Sequence, residues 1–183
     1  GVTVEVEPPR GEHLHLIGSP LNVQQIVQNI MANAVKYNRP GGSVHVKCEE
    51  KSSDGEKAVF VFTCADTGVG MSEEFQKHAF EPFVQENAQA RTNYPGSGLG
   101  LAIAKKTVDY LGGEISFVSE QGKGTTFTVT LPLRIDRDYK AEEPKKQETD
   151  DSIEGVSILL AEDNKLNQEI AEFVLQVKGA KVA

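Results

Sequence analysis

The chain has 183 residues and a formal net charge of −8, and 38% of its residues are hydrophobic and 25% charged. This composition is typical of a globular protein with room for one well-packed domain and part of a second. The acidic balance argues against nucleic-acid binding, which needs a basic surface, and no apolar run is long enough to cross a bilayer, so we expect no membrane contact.

The first predicted elements are a short strand over Glu12–Ile17 and a helix from Pro20 to Tyr37. Ser19 followed by Pro20 is a typical helix start, because serine caps free amides and proline suits the first turn. The helix is expected to stop before Asn38, where a run of Asn, Arg, Pro and two glycines begins.

Three polar side chains of this helix lie together beside its apolar arc: Asn29, Asn33 and Lys36. Two carboxamides and an ammonium can hold a hydrated cation and reach phosphate oxygens. Taken alone, the stripe is better explained as an ordinary solvated helix face. The glycine clusters that follow in the chain favour the functional interpretation.

A β-hairpin is predicted next, with strands over Val44–Cys48 and Ala58–Ala65 and a turn at Ser52–Gly55. It contains both cysteines of the chain. The turn would pair Cys48 with a residue near Val59, and Cys64 with one near Ser43, so the thiols would not face each other. We therefore expect two small hydrophobic residues in a reducing compartment rather than a disulfide or a metal site.

Asp66 ends the second strand of the hairpin, directly after an apolar run. A carboxylate in that position is partly desolvated and needs a hydrogen-bond donor. An adenine amino group would suit it, and capping of the turn amides is the alternative. Gly68 and Gly70 follow, and glycines there would let a flat ring lie against the backbone.

Beyond these glycines we predict a helix over Ser72–Glu81, a helix over Leu99–Leu111 and a closing hairpin of Glu114–Ser119 and Thr125–Leu133. The segment between the two helices, Val84–Pro95, is polar and has no apolar periodicity. This pattern indicates a mobile loop, which we expect to act as a lid.

Two further glycine clusters match the familiar nucleotide motifs only in part. Gly96–Leu101 departs from the dinucleotide fingerprint, because leucine occupies the place of its last glycine and a loop precedes it. Gly122–Gly124 lacks the Ser or Thr that directly follows the lysine of a Walker loop. Both clusters can still offer backbone amides to phosphate, so together with Asp66 they point to a nucleotide.

A charged linker is predicted over 134–154, because this stretch has almost no apolar residues. A third segment, 155–183, contains an apolar strand over Val156–Ala161, a helix over Asn164–Lys178 and the start of another extended piece at Gly179. It is too short to bury a core of its own. Since the chain begins without methionine, we expect it to be a piece of a longer protein.

Five motifs, in this order, closely resemble those of the catalytic ATP-binding domain of sensor histidine kinases: Asn29–Tyr37, Asp66–Gly70, Phe80–Phe83, Gly96–Leu101 and Gly122–Phe127. The resemblance covers nearly all of residues 1–133. It implies an α/β fold, a two-layer sandwich in which helices cover one face of a mixed sheet. It also implies ATP and magnesium as cofactors.

In the adenine pocket that the resemblance implies, Asp66 accepts a hydrogen bond from the adenine amino group, and Gly68 and Gly70 shape the walls. Other implied residues lie near the sugar, at the base of the lid and on the final hairpin: Tyr37, Phe80, Phe83, Thr125 and Thr126.

On the phosphate side, the resemblance implies that Asn33 holds magnesium, that Asn29 supports that shell and that Lys36 contacts phosphate. Backbone amides at the start of the following helix would bind the phosphates, in the segment Gly96, Ser97, Gly98, Leu99, Gly100 and Leu101.

The residue at position 29 bears on the reaction. Hydrolytic members of the wider ATPase group usually carry a glutamate there, whereas Asn29 cannot accept a proton at neutral pH. The resemblance therefore implies transfer of the γ-phosphoryl group to a histidine on separate dimerisation helices, in a two-component phosphorelay. A true ATPase and a non-catalytic nucleotide sensor or docking module are the alternatives. Four histidines match no phosphoacceptor motif and are expected to be structural: His13, His15, His45 and His78.

The segment Ile158–Gln168 resembles the opening of a response-regulator receiver domain. In that family an acidic pair binds magnesium beside the phosphoaccepting aspartate, and Glu162 and Asp163 match the pair. The acceptor aspartate would lie beyond the last residue given, and helix capping explains the two acids equally well here. The implied partners are the histidine-bearing helices of the parent protein and a receiver domain or response regulator, in the cytoplasm.

Overall fold

The computed structural model describes residues 1–86, 97–139, 155–160, 172, 175–177 and 179–182. The chain divides into two units, Gly1–Tyr139 and Lys140–Ala183. The strands of the first unit are β1 (Thr3–Val6), β2 (Leu16–Ile17), β3 (Ser43–Ser53), β4 (Lys57–Asp66), β5 (Glu114–Glu120) and β6 (Gly124–Ile135). Its described helices are α1 (Pro20–Lys36), α2 (Glu73–Gln76) and α3 (Gly100–Tyr110).

The strands of the first unit form one mixed sheet in the order β1-β3-β4-β6-β2, and β5 also pairs with β6. β1 lies parallel to β3, whereas the other neighbours are antiparallel. Side chains alternate along β4 and β6, so every second residue enters the core, as Phe60 and Val129 do. This arrangement of a mixed sheet with helices confirms the predicted α/β fold class.

Helix α1 forms as the sequence predicts. Its cap is Ser19, whose hydroxyl accepts a hydrogen bond from the amide of Asn22 at 3.3 Å. The apolar face, with the fully buried Ile26 and Ile30, joins one core with side chains of the sheet and of α3. Burial of each of these isoleucines stabilises the fold by roughly 1.5–3 kcal/mol. Their packing holds α1 on the sheet and so fixes the position of its polar edge.

The first hairpin forms, but its register differs from the prediction. The turn closes on Asp54, whose carboxylate accepts hydrogen bonds from two backbone amides, and β3 extends up to that turn. Cys48 consequently pairs with Phe62 and Cys64 with Val46, so the predicted partners are wrong. Both thiols are free, as expected, and burial raises the pKa of the Cys64 thiol to about 12.

Two predicted elements are shorter than expected, and one strand was not predicted. The helix expected over Ser72–Glu81 is reduced to α2, and the chain continues from it as turns. Of the strand expected over Glu12–Ile17, only β2 pairs. β1 was not predicted, since an exposed edge strand has no buried face to produce a clear apolar pattern.

In the second unit, β7 (Ser157–Ile158) and β8 (Lys181–Val182) pair in parallel, and residues 172 and 175–177 between them are helical. The strand predicted over Val156–Ala161 is therefore shorter than expected. The acidic pair Glu162 and Asp163 lies outside the described residues. Within the part of the chain that is described, no helix is long and apolar enough to span a membrane.

Candidate functional site

The candidate site lies where β4 ends at Asp66. The loop that follows, residues 67–71, contains Gly68 and Gly70 and is called the glycine loop. Oδ1 of Asp66 accepts hydrogen bonds from the amide of Gly68 at 2.8 Å and from the amide of Thr125 at 3.2 Å. Oδ2 accepts none from the described residues. Burial raises the pKa of Asp66, and the two hydrogen bonds oppose that shift. The carboxylate is thus anchored through one oxygen and offers the other to a donor.

The glycines after Asp66 permit close backbone packing on both sides of the loop. A β-carbon on Gly68 would lie 2.5 Å from the carbonyl oxygen of Tyr37, and one on Gly70 would clash with the carbonyl group of Glu120. Gly70 also has a positive φ of 66°. The amide of Val69 donates to the Tyr37 carbonyl at 3.0 Å. The loop is therefore held between the end of α1 and the β5–β6 turn.

The β5–β6 hairpin supports the loop from its other side. The hydroxyl of Ser119 accepts a hydrogen bond from the amide of Met71 at 2.9 Å and lies 2.8 Å from the hydroxyl of Thr125. Thr126 is the next residue on the strand, so its side chain points to the opposite face of the sheet. Of the two threonines, Thr125 is the one that contacts the Asp66 loop.

The polar stripe of α1 reaches the start of α3 at Asn29, whose side chain lies beside Gly100. Asn29, Asn33 and Lys36 are each half-buried. The Nδ2 atom of Asn29 is buried and has no hydrogen-bond partner among the described residues. A buried donor without a partner costs about 1–3 kcal/mol. Lys36 places its ammonium 4.8 Å from the ring centre of Tyr37, at the end of the helix next to the glycine loop.

Helix α3 presents free backbone amides near this stripe. It begins at Gly100 after the cap residue Leu99, and neither a side-chain cap nor an acidic residue in its first turn offsets the partial positive charge. The side chain of Leu101 packs against the core, so only its backbone is available. Ser97 is exposed, and Gly96 lies outside the described residues.

Phe83 and Gly98 join the two ends of the segment predicted as a lid. The amide of Phe83 donates to the carbonyl of Gly98 at 3.0 Å, and a β-carbon on Gly98 would lie 2.9 Å from the carbonyl carbon of Phe83. Phe83 has a φ of 66° and is 74% exposed, whereas Phe80 packs on Phe117 with ring centres 5.4 Å apart. Most of Val84–Pro95 lies outside the described residues.

The sequence analysis missed Asn38 and Arg39, which follow α1. The side chain of Asn38 is buried and donates to the carbonyls of Ala34 at 3.1 Å and Ser43 at 3.0 Å. Arg39 donates to carbonyls of two loops. The only signal available was an asparagine and an arginine at the end of a polar helix stripe.

Each of the four histidines contacts a neighbouring side chain. His13 pairs with Glu50, His45 with Glu7 and His78 with Glu81, and the ring of His15 stacks on that of Tyr139.

An apolar cavity of about 320 Å³ lies elsewhere in the first unit, between α1 and the sheet. Val23, Ile26, Phe60 and Phe62 are among its lining residues, and it contains none of the predicted site residues. Its apolar walls offer no donor to a phosphate. In the described part of the chain, no three His, Cys, Asp or Glu residues are grouped to hold a metal.

Comparisons with known proteins agree with the fold described above. Residues 18–135 match the family model described as histidine kinase-, DNA gyrase B- and HSP90-like ATPase. The autoinducer 2 sensor kinase/phosphatase LuxQ of Vibrio parahaemolyticus is 36% identical over 193 residues, covering 99% of this chain and 22% of that protein. The chain thus spans less than a quarter of that relative's length.

Two solved structures are similar. A mycobacterial sensor histidine kinase, MprB, is 30% identical with a TM-score of 0.55, over 74% of this chain and 84% of that one. Full-length ShkA in complex with AMPPNP is 24% identical with a TM-score of 0.59, over 100% of this chain and 35% of that one. The second likeness concerns the fold alone.

Proposed function

The chain belongs to the family of histidine kinase-, DNA gyrase B- and HSP90-like ATPases, and we propose that residues 1–133 bind Mg-ATP and donate its γ-phosphoryl group to a histidine on separate dimerisation helices. The activity would form part of two-component signalling. The observation that carries the proposal is the Asp66 carboxylate, which two backbone amides hold through one oxygen while the other remains available.

Adenine recognition follows from that carboxylate. The exocyclic amino group of adenine is a donor, and the free Oδ2 atom of Asp66 is an acceptor in a partly buried position. A hydrogen bond to a charged acceptor is worth about 1.5–3 kcal/mol, so this contact would supply much of the affinity for the base. Gly68 and Gly70 let the loop pack closely against the backbones of Tyr37 and Glu120, and Tyr37 would border the pocket.

Phosphate recognition would fall to the space between α1 and α3. The unpartnered Nδ2 donor of Asn29 and the uncapped amides from Gly98 to Leu101 are suited to anionic oxygens. Lys36 adds a positive charge that can reach a phosphate from the same helix edge. These groups fit a triphosphate better than any neutral ligand, because every one of them is a donor.

The same region also suits magnesium, because it offers an oxygen ligand of the kind that the ion prefers. Mg²⁺ is usually held by one or two protein oxygens together with substrate phosphates. The carboxamide oxygen of Asn33, one turn after Asn29, would supply such a ligand. Bound magnesium would neutralise charge on the phosphates during transfer.

The reaction that suits these residues is phosphoryl donation. An imidazole nitrogen of the acceptor histidine forms a bond to the γ-phosphorus as the bond to the β-phosphate oxygen breaks, and ADP leaves. Because Asn29 cannot take a proton from water, the domain would hold ATP in position rather than hydrolyse it. Its contribution is then orientation and charge stabilisation.

The second unit would begin a receiver domain. Parallel pairing of β7 and β8 across a helical segment supports this proposal, since parallel strands need a crossover connection. Glu162 and Asp163 would belong to its magnesium site. The partners of the chain would then be the dimerisation helices of its parent and a receiver domain, in the cytoplasm where ATP is present.

The direct test mixes this chain with the histidine-bearing helices of its parent protein, γ-labelled ATP and magnesium. We expect an acid-labile phosphoprotein to form on the helices and to disappear when the acceptor histidine is replaced by alanine. Steady phosphate release without labelled helices would instead establish a hydrolase. Binding of ATP with neither reaction would establish a nucleotide sensor.

A further inference from the structure

Arg39 joins the glycine loop, which contacts Asp66, to the β5–β6 turn, which leads into the strand that contacts Asp66. Its Nε atom donates to the carbonyl of Thr67 at 2.7 Å, and its Nη2 atom donates to the carbonyls of Gly68 at 3.1 Å and Gly122 at 2.6 Å. Thr67 and Gly68 belong to the glycine loop, whereas Gly122 lies in the β5–β6 turn. One guanidinium therefore links segments that are far apart in the sequence.

The glycine loop and the start of β6, which follows the β5–β6 turn, determine where the Asp66 carboxylate lies. The amide of Gly68 and the amide of Thr125, just after the β5–β6 turn, are the two donors to Oδ1. A shift of the glycine loop, or of the turn together with the start of β6, would move or rotate the carboxylate. Arg39 fixes the distance between the glycine loop and the β5–β6 turn. Because it binds only backbone carbonyls, this link does not depend on the side chains of either segment.

The position of Arg39 is itself fixed by the end of α1. The buried Asn38 side chain accepts a hydrogen bond from the Arg39 amide at 2.9 Å and also donates to carbonyls of α1 and β3. The arginine thus projects from a rigid base. Its planar fork can reach three carbonyls at once, whereas a lysine ammonium is a single point of donation on a flexible stem.

The link adds to contacts that hold the loops without it. The amide of Gly122 donates to the carbonyl of Val69 at 2.7 Å, and Gly70 packs directly against Glu120. Arg39 is also exposed, in contrast to the buried core residues. Replacing it should therefore change the geometry of the loops more than the stability of the fold.

We propose that Arg39 is a positioning residue of the adenine pocket, which sets the orientation of the Asp66 carboxylate by tying the glycine loop to the β5–β6 turn. The inference rests on the proposed function, in which Asp66 recognises adenine. Arg39 is therefore expected to affect the preference for adenine over guanine through Asp66, without contacting the base itself.

The test compares Arg39→Lys and Arg39→Gln in the whole chain, with Arg137→Ala as the matched control. Arg137 is also an exposed arginine that donates to a backbone carbonyl, that of Gly55 at 2.8 Å, in a turn without site residues. Calorimetric titrations give Kd for ATP and GTP. We expect both Arg39 variants to bind ATP about tenfold more weakly, the loss of one or two hydrogen bonds, and to lose part of the preference for ATP over GTP.

The ratio of the ATP affinity to the GTP affinity is the deciding measurement. Guanine carries a carbonyl where adenine carries its amino group, so the orientation of the Asp66 carboxylate affects the two bases differently. A general loss of stability would weaken both nucleotides equally, so an unchanged ATP-to-GTP ratio in Arg39→Lys would overturn the inference. Arg39→Lys keeps the charge and decides the matter if Arg39→Gln does not fold. If the unaltered chain itself does not bind ATP, the proposed function fails first, and this inference fails with it.

Discussion

Asn29 and Gly100 meet where α1 passes the start of α3: the Oδ1 atom of Asn29 lies 3.5 Å from the place that a β-carbon on Gly100 would occupy. That separation is an ordinary van der Waals contact, and Gly100 has no positive φ. Among the described residues, nothing therefore requires glycine at this position. Under the proposed function, the glycine would instead let a phosphate approach the backbone.

Replacing Gly100 by alanine should separate stability from binding. We expect the Tm to be unchanged or raised, since alanine favours a helix by up to about 1 kcal/mol over glycine, while the affinity for ATP falls. Gly98→Ala is the comparison, because its φ of 69° and its contact with the Phe83 backbone predict a loss of stability. Thermal unfolding and calorimetry of both variants provide the check, and equal ATP affinity in Gly100→Ala would contradict the phosphate assignment.

Removing the orphan donor of Asn29 should spare the fold but impair the reaction. In Asn29→Ala the buried Nδ2 atom is lost, and with it the cost of leaving a donor unpaired. We expect the nucleotide-free protein to keep its Tm and phosphoryl transfer to fall at least tenfold, about 1.4 kcal/mol in the barrier. The measurement is initial labelling of the histidine-bearing helices. A large fall in Tm together with unchanged transfer would show that Asn29 has only a structural role.

Asp66→Asn tests the adenine pocket. Its amide can keep an oxygen towards the amides of Gly68 and Thr125, so the loop should stay in place. The second acceptor becomes a donor that faces the adenine amino group, and we expect ATP affinity to be abolished or to fall at least about 100-fold. Calorimetric titration with ATP gives the answer. An affinity equal to that of the unaltered chain would rule out Asp66 as the adenine acceptor.

The raised pKa of Asp66 also predicts a pH dependence of stability. Its ordinary value is 3.8, and burial raises the pKa in the folded state above that. The folded protein therefore holds the proton at a pH where the unfolded chain has released it, and stability falls as pH rises through this window. Asp66→Asn does not titrate, so its Tm should exceed that of the unaltered chain above the window, with a difference that shrinks as pH falls towards 4. A difference that stays constant from pH 4 to 7 would contradict the assignment.

Local signals predicted the elements with strong periodicity or clear caps. α1 and α3 begin and end within one residue of the predicted limits, because capping residues and glycines act on neighbours in the sequence. The fold class followed from ordered motifs. The hairpin register was not predictable in the same way, since the Asp54 turn decided it.

The candidate site was predicted as a set of residues without its internal connections. Gly68 and Gly70 illustrate this difference. From the sequence, both were explained by the approach of a flat ligand. In the structure, Gly68 also packs against the backbone of Tyr37 and Gly70 against that of Glu120. Thr125 and Thr126 could not be separated until the strand placed one of them beside Asp66.

The amino-acid sequence by itself determined the two principal helices and the residue types that suit a nucleotide, because these depend on local periodicity and on side-chain chemistry. The α/β class was implied by the resemblance of its ordered motifs to those of a known family. Only the tertiary structure decided which oxygen of Asp66 is free, that Asn29 has an unpaired donor and that Arg39 ties two loops together. These features arise from contacts between segments distant in the chain, and their geometry is set when the sheet and α1 pack around one core.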